Sequence, residues 1–508
     1  MSDKALAVRG VVFNWLGRGC AIIITFFLTP YLVSKLGDES YGLWSMVMAF
    51  TSYYAMADMG LRGAGVKYIA QFHAIQDYES VNKVYVTSMV VYSAVAAVVL
   101  VLVGIATYAF PFIVDIGDHS ISNIRWVILL TGATMATRML AQVYGAALTA
   151  LQRHDVSNAI AVSMQLLQAA SVVAALLLGY GLVGMAVATF AVTLSGQLLR
   201  ACFSNVFLPE LNFSLRYFDR DTLKMVFRFG GVNVMANAAA RVLVYSGGLI
   251  VGVICGPAVV LFYSIPEAIT QKTAQLGSAI TQVIDPLASQ LNAQKNKAAM
   301  LELMVLPPRL LAVSSLSLAI FFIVYGRLFI EYWMNEQYVA QMYPVLCVLT
   351  VARALKMSSG GVRAVLRSTA NLRVIAIAAG VEIVVTLVIG VLGVWLYGPI
   401  GMAYAVLTTQ LLVAVILLPV WTCTALEMPK MQYFLNIWPP SLLALLPPLA
   451  VALVIEHFWT PGRILDLAVI CGLILISAGG SAFYICLPTH RRSDIITSLT
   501  AWRSVKSA

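Results

Sequence analysis

Charge is scarce in this sequence. Only 11% of the 508 residues are Asp, Glu, Lys or Arg and 61% are apolar, whereas soluble domains carry roughly 25% charged residues. A water-solvated globule is thereby excluded. Also missing is the ten-residue alternation of polarity that a membrane barrel requires; unbroken runs such as LLALLPPLAVALVI at 442–455 take its place. In a bilayer, only helices remain to satisfy the backbone. The seven cysteines (20, 202, 255, 347, 423, 471, 486) include no CxxC pair and lie in or beside apolar segments, which argues against disulfides, a zinc site and any metal. The opening MSDKALAVRG runs into an apolar segment too long for a signal h-region, so the first segment is expected to remain as a span. Despite a net charge of +10, no basic cluster with interleaved aromatics lies outside the apolar runs, which excludes nucleic acid as a partner. Long external connections are lacking too, the longest being GRLFIEYWMNEQYVAQ at 326–341. A folded external domain does not fit there.

What is present is a series of apolar stretches, each long enough for a hydrocarbon core of roughly 30 Å. They predict about fourteen helices, at 10–34, 41–65, 84–110, 124–150, 158–179, 184–207, 229–254, 257–284, 304–325, 342–366, 373–396, 401–425, 436–457 and 465–487. Of the 32 Lys and Arg, only Lys35, Arg125, Arg327 and Arg463 then fall outside when the N-terminus is cytoplasmic. The positive-inside rule fixes that orientation, with both termini in the cytoplasm. The largest internal connections are expected at 66–83 and near 209–228, the second mixing charges and apolar residues as an interfacial helix or a solvated linker would.

The sequence repeats internally. YGLVGMAVA at 180–188 returns as YGPIGMAYA at 397–405, and Asn14 precedes Gly37 by the interval that separates Asn233 from Gly256. The expected organisation is an all-α polytopic protein: a six-helix bundle at 1–208, an amphipathic cytoplasmic linker at 209–228, a second six-helix bundle at 229–426, and two added helices with a tail at 427–508. An even number of helices per copy makes the repeats parallel, with a pseudo-two-fold axis along the membrane normal and a central cavity between the halves.

Within the spans lie Arg18, Arg62, Arg138, Arg241, Lys272, Arg353 and Lys356, with the acids Asp58 and Glu267. Each base facing lipid at mid-span would cost about 2.5–3.5 kcal/mol, so most are expected to face water, a counter-charge or a ligand. Snorkelling is the simplest alternative for Arg62 and Lys356, near span ends. Spacings of three and four put polar groups on common faces: Asn14, Arg18 and Thr25; Asn233, Asn237 and Arg241; Thr134, Arg138 and Gln142; and Glu267, Gln271, Gln275, Ser278, Gln282 and Asp285. A lumen rich in arginine suits an anion, because guanidinium groups grip phosphate oxygens bidentately. The candidate substrate-binding residues are therefore Arg18, Arg138, Arg241, Lys272, Arg353, Asn14, Asn233, Asn237, Arg62 and Lys356. Asp58 and Glu267 are candidates for ion coupling or, equally, structural ion pairs. No cofactor is called for.

The stretch FLTPYLVSKLGDESYGLWSMVMAFTSYYAMADMGL at 27–61, DRDTLKMVFRFG at 219–230 and the two YGxxGMAxA copies resemble polysaccharide flippases of the multidrug, oligosaccharidyl-lipid and polysaccharide exporter superfamily. The resemblance implies movement of undecaprenyl-diphosphate-linked oligosaccharide from the inner to the outer leaflet of the bacterial cytoplasmic membrane by alternating access, for O-antigen or exopolysaccharide biosynthesis, without enzymatic chemistry. It leaves open a proton or sodium ion as coupling partner and a polysaccharide polymerase or other biosynthetic complex as protein partner, in a setting of membrane lipid. The alternatives are an ion-coupled multidrug exporter, which would favour acids and aromatics in its cavity, and a membrane-embedded glycosyltransferase using Asp38 and Glu39.

Overall fold

The computed structural model describes residues 3–53, 61–114, 116–117, 119–369, 372–459, 461–489 and 491–493; within the helices, the side chains of 3–16, 18, 229–240, 275–283 and 372 are outside the description. Every regular element among the described residues is helical. In chain order the α-helices are α1 (Asp3–Ser52), α2 (Leu61–Ala74), α3 (Tyr78–Ile113), α4 (Ile121–Leu140), α5 (Gln142–Ala150), α6 (His154–Leu177), α7 (Gly181–Phe207), α8 (Arg220–Cys255) and α9 (Pro257–Ala293). They continue with α10 (Lys297–Trp333), α11 (Val339–Ser358), α12 (Gly360–Ser368), α13 (Leu372–Tyr397), α14 (Pro399–Gln410), α15 (Leu418–Ala425), α16 (Lys430–Ala444), α17 (Leu446–Phe458) and α18 (Ile464–Ser481). Outward faces carry bare apolar side chains such as Phe27, Phe112, Trp395 and Ile476, which is the surface a bilayer solvates and water does not.

Eleven helices among the described residues are long and apolar enough to cross a membrane. The expected fourteen is not reached on that count, for two reasons. First, α1 is two helical segments joined at a kink at Gly37, with φ 77° and ψ 167°, and counts once; its second segment ends at Ser52, short of the expected 65. Second, many side chains of α8 and α9 lie outside the description. Gly256, at φ 90° and ψ 161°, ends α8 just before α9. Both glycines occupy a backbone region that a Cβ essentially forbids. Gly37→Ala and Gly256→Ala should each lower stability by about 1–3 kcal/mol. Gly104→Ala, in open space within α3, should leave it unchanged or slightly raised; thermal unfolding of the purified variants in detergent checks all three. Gly181 (φ 54°) and Gly398 (φ 68°), at the two YGxxGMAxA copies, also share positive φ.

Two connections differ from expectation. The 66–83 stretch is mostly helix, because α2 continues to Ala74 with Ile69 buried and α3 begins at Tyr78; Asp77 caps α3 by accepting from the Ser80 amide at 3.0 Å. At 209–228 the first half is irregular with one 3-10 turn, Leu215–Tyr217, and the second half is already α8. The irregular half is fixed to α3 by Asn82, which donates to the Glu210 carbonyl and accepts from the Asn212 amide. Asp219 caps α8, and the Thr222 hydroxyl and amide hold its carboxyl below the usual range. The stabilisation from that cap is therefore present at neutral pH and lost as acid protonates it.

The chain divides into two compact units, Met1–Leu261 and Phe262–Ala508. In the first, α3 packs on α4, α4 and α6 pack on α7, α1 lies against α6, and α2 lies against α5. Helix α8 packs on α1, α2 and α3 and so belongs to this unit. In the second, α10 packs on α11, α13 on α14, and α11 on α14, while α16, α17 and α18 dock on α10. Buried polar bonds fasten those last helices: Tyr325 donates to the Ala452 carbonyl at 2.7 Å, Arg309 to the Asn436 carbonyl, and Ser481 to the Ala444 carbonyl.

Candidate functional site

Inside the first unit, α2, α4, α5, α6 and α7 surround a pocket of about 500 Å³. Three arginines line it: Arg62 from α2, Arg138 from α4 and Arg200 from α7. Gln142, Asn158, Gln165, Gln168 and Gln197 add side-chain amides. Spacing explains the convergence, since Thr193, Gln197 and Arg200 step by four and three along α7, and Asn158, Gln165 and Gln168 step by seven and three along α6. Each set is one helical face. Arg138 Nη2 lies 3.4 Å from the Thr193 hydroxyl, Arg200 Nη1 donates to Gln197 Oε1 at 2.9 Å, and Gln168 donates to Thr189 at 2.8 Å.

Among the described residues, no carboxylate and no aromatic ring lines the pocket. Arg62, Arg138 and Arg200 thus line one pocket as like charges. Three cations gathered among membrane-length helices repel one another in a medium of reduced dielectric. An anion entering the pocket would relieve that repulsion.

The second unit treats its cations differently. Arg353 on α11 pairs with Glu267 on α9, and Gln271 donates to the same carboxylate oxygen at 3.0 Å. Glu382 on α13 is 3% exposed and holds two cations, Lys356 at 3.3 Å and Arg363 at 2.6 Å. Arg367 pairs with Asp285 at 2.6 Å. These partners neutralise charges that the apolar surroundings would otherwise penalise.

The expected site residues thus separate. Arg62 and Arg138 come together in the first unit. Arg353 and Lys356 are engaged by acids in the second. Arg241 on α8 and Lys272 on α9 are half-buried. The side chains of Asn14, Arg18, Asn233 and Asn237, and all of Asp58, lie outside the described residues. Sequence reasoning missed Arg200, which it grouped with the cytoplasmic basic residues, and the amide face of α6. The 193–197–200 stripe was the available signal for the first. Among the described residues, no cluster of three or more metal-ligating His, Cys, Asp or Glu side chains occurs.

Membrane-length helices in two compact units, with polar groups gathered inside and apolar faces outside, define a multi-pass membrane protein. The sequence profile of the family described as "Polysaccharide biosynthesis protein" matches residues 7–292, and the chain belongs to that family, as the resemblance implied. It is 24% identical over 364 residues to the Shigella flexneri "Putative O-antigen transporter", covering 68% of this chain and 80% of that one. In fold it is similar to an inward-facing multidrug resistance MATE family transporter of the MOP superfamily, with a TM-score of 0.65 at 16% identity over 80% of this chain and 94% of the other. It is also similar to the lipid II flippase MurJ in an inward closed conformation, with a TM-score of 0.61 at 15% identity over 94% and 99% of the two chains.

Proposed function

We propose that the protein is a flippase carrying undecaprenyl-diphosphate-linked oligosaccharide from the inner to the outer leaflet of the bacterial cytoplasmic membrane by alternating access. The single observation that carries this reading is the first-unit pocket, where Arg62, Arg138 and Arg200 converge and no carboxylate among the described residues joins them. A diphosphate diester supplies anionic oxygens that arginine forks bind bidentately. An exporter of organic cations would need the opposite polarity. The family and the O-antigen relative support the same substrate class.

In this reading Arg18, Arg241, Lys272, Asn14, Asn233 and Asn237 also contribute to substrate binding. The repeat, read in sequence as 1–208 and 229–426, supplies two bundles for alternating access, with α8 of the second copy packed on helices of the first unit; the shared backbone state of Gly37 and Gly256 supports the repeat. Coupling to a proton or sodium gradient falls to Asp58 and Glu267. Glu267 retains one buried carboxylate oxygen without a hydrogen-bond partner among the described residues. Both termini lie in the cytoplasm, and a reporter fused after His490 should behave as cytoplasmic.

The test is export of a lipid-linked glycan in cells lacking their own flippase, with membrane levels of each variant measured in parallel. The parent chain should restore export, and Arg18→Ala or Arg241→Ala should lose it at normal abundance. The lysine replacements should recover part, since they keep charge but not the fork. A parent chain that exports no lipid-linked glycan but confers resistance to cationic drugs would overturn the reading.

A further inference from the structure

We infer that α8 and the first turn of α9, which open the second sequence copy, move with the first unit, and that the chain flexes at the Pro266 turn of α9. This rests on the flippase reading above and concerns where its two moving bodies divide. The long connection at 209–228 is the obvious place for a joint, but it is fastened to α3 of the first unit. Asn82 grips Glu210 and Asn212, and the Asp219 amide, at the cap of α8, donates to the Thr87 hydroxyl at 3.2 Å. Such a strap has little freedom left.

Helix α8 then stays seated to its far end. Val226 near its start and Val260 in the first turn of α9 are buried in the same core cluster as Leu43, Met46, Val47 and Val84. At the far end the approach is closer still: a Cβ on Gly252 would collide with the Met46 sulfur, and one on Gly42 with the Pro257 carbonyl oxygen. Small residues let membrane helices meet at backbone distance. The first turn of α9 is therefore held as firmly as α8.

Immediately beyond that turn, the partners change. Leu261 closes the first unit and Phe262 opens the second, where the Phe262 and Tyr338 ring centres lie 6.3 Å apart and Glu267 pairs with Arg353. Pro266 has no amide hydrogen, so the helical bond that would end on the Phe262 carbonyl is missing. Its ring also crowds that carbonyl, which softens the turn. Pro286, further along α9, breaks the ladder in the same way, but both of its flanks belong to the second unit. Only at Pro266 do a softened turn and a change of partners coincide.

Export of a lipid-linked glycan by the full-length protein, in cells lacking their own flippase, tests both halves of the inference; a cysteine-free background that exports as the parent does carries the variants. Met46→Cys with Gly252→Cys should form a disulfide on oxidation, because the Met46 sulfur lies where a Gly252 side chain would point. The stapled protein should keep at least about half of the reduced protein's export, since α1 and α8 travel together. Pro266→Ala restores the missing donor and should lower export about tenfold, at unchanged abundance and an unchanged or higher unfolding temperature. Pro266→Gly regains the donor but leaves the turn pliant, and should recover most of that loss. Pro266→Leu serves in place of the alanine variant if that one leaves a destabilising gap. A pair that resists oxidation would remove the close seam on which the inference stands. A staple that abolishes export until it is reduced would show α8 leaving the first unit during the cycle, which overturns the inference and leaves the flippase reading intact. Equal export by the parent and Pro266→Ala would overturn the joint. If the parent exports no glycan, the flippase reading fails and this inference with it.

Discussion

Replacing Glu382 by leucine should cost the second unit about 3–5 kcal/mol and deplete the protein from the membrane. The carboxylate is nearly fully buried and answers two cations on neighbouring helices, Lys356 and Arg363. Removing it leaves both uncompensated among apolar side chains, the condition under which a broken buried pair is most destructive. Glu382→Gln keeps the shape and some hydrogen bonding but not the charge, and should fall between parent and leucine. Restoring balance from the other side, with Lys356→Met and Arg363→Met added to Glu382→Leu, should recover much of the loss. Thermal unfolding in detergent gives the order. A leucine variant as stable as the parent would show that the two cations reach water without help.

Arg138→Gln and Arg200→Gln should behave in the opposite way. Here the neighbours lining the pocket are like charges, Arg62, Arg138 and Arg200, so removing one relieves repulsion. The fold should be as stable as the parent or slightly more so. Export should nevertheless drop by about 10- to 100-fold, the equivalent of one lost charge-assisted hydrogen bond of roughly 1.5–3 kcal/mol. Comparing unfolding temperature with export separates cations held for structure from cations held for a ligand. If the glutamine variants unfold much earlier than the parent, the pocket arginines are structural.

Much of the architecture was legible in the residues. Apolar runs located the helices, and Gly37 and Gly256, paired by interval alone, proved to share an unusual backbone conformation. Helix ends were less legible: α2 and α3 extend beyond the apolar windows because helices do not stop at the bilayer surface, so a presumed 18-residue connection shrank to a turn. The site was read in part. Arg62 and Arg138 were named, yet Arg200 lies near a span end, where a base has a ready explanation in the cytoplasmic charge bias. The stripe rule that exposed α9 was not carried to α6 and α7, where it would have found Asn158, Gln165 and Arg200. Glu267 was named as a candidate for an ion pair, but which cation each acid meets was beyond sequence. Glu382 is 26 residues from one partner and 19 from the other, and no periodicity joins positions on different helices.

The packing of α3 on α4 also bears on how the chain enters the bilayer during synthesis. The 18-residue apolar window of Ile121–Ala150 has a mean hydropathy of only 1.2, against 2.7 for that of Tyr78–Ile113, and the segment carries Arg125 and Arg138. Alone it would partition into lipid poorly. Its predecessor offers compensation: the Arg125 guanidinium sits 4.9 Å from the Tyr108 ring centre, and Gly132 lets Val103 approach so closely that a Cβ there would meet it at 2.4 Å. The two helices are therefore expected to leave the insertion machinery as one hairpin, the more apolar member carrying the less apolar one. A glycosylation tag placed after Ala150 should report failed insertion when α3 is exchanged for a polyleucine helix of equal length. Polyleucine is apolar enough to span, but it lacks the tyrosine and the fitted surface that α4 requires.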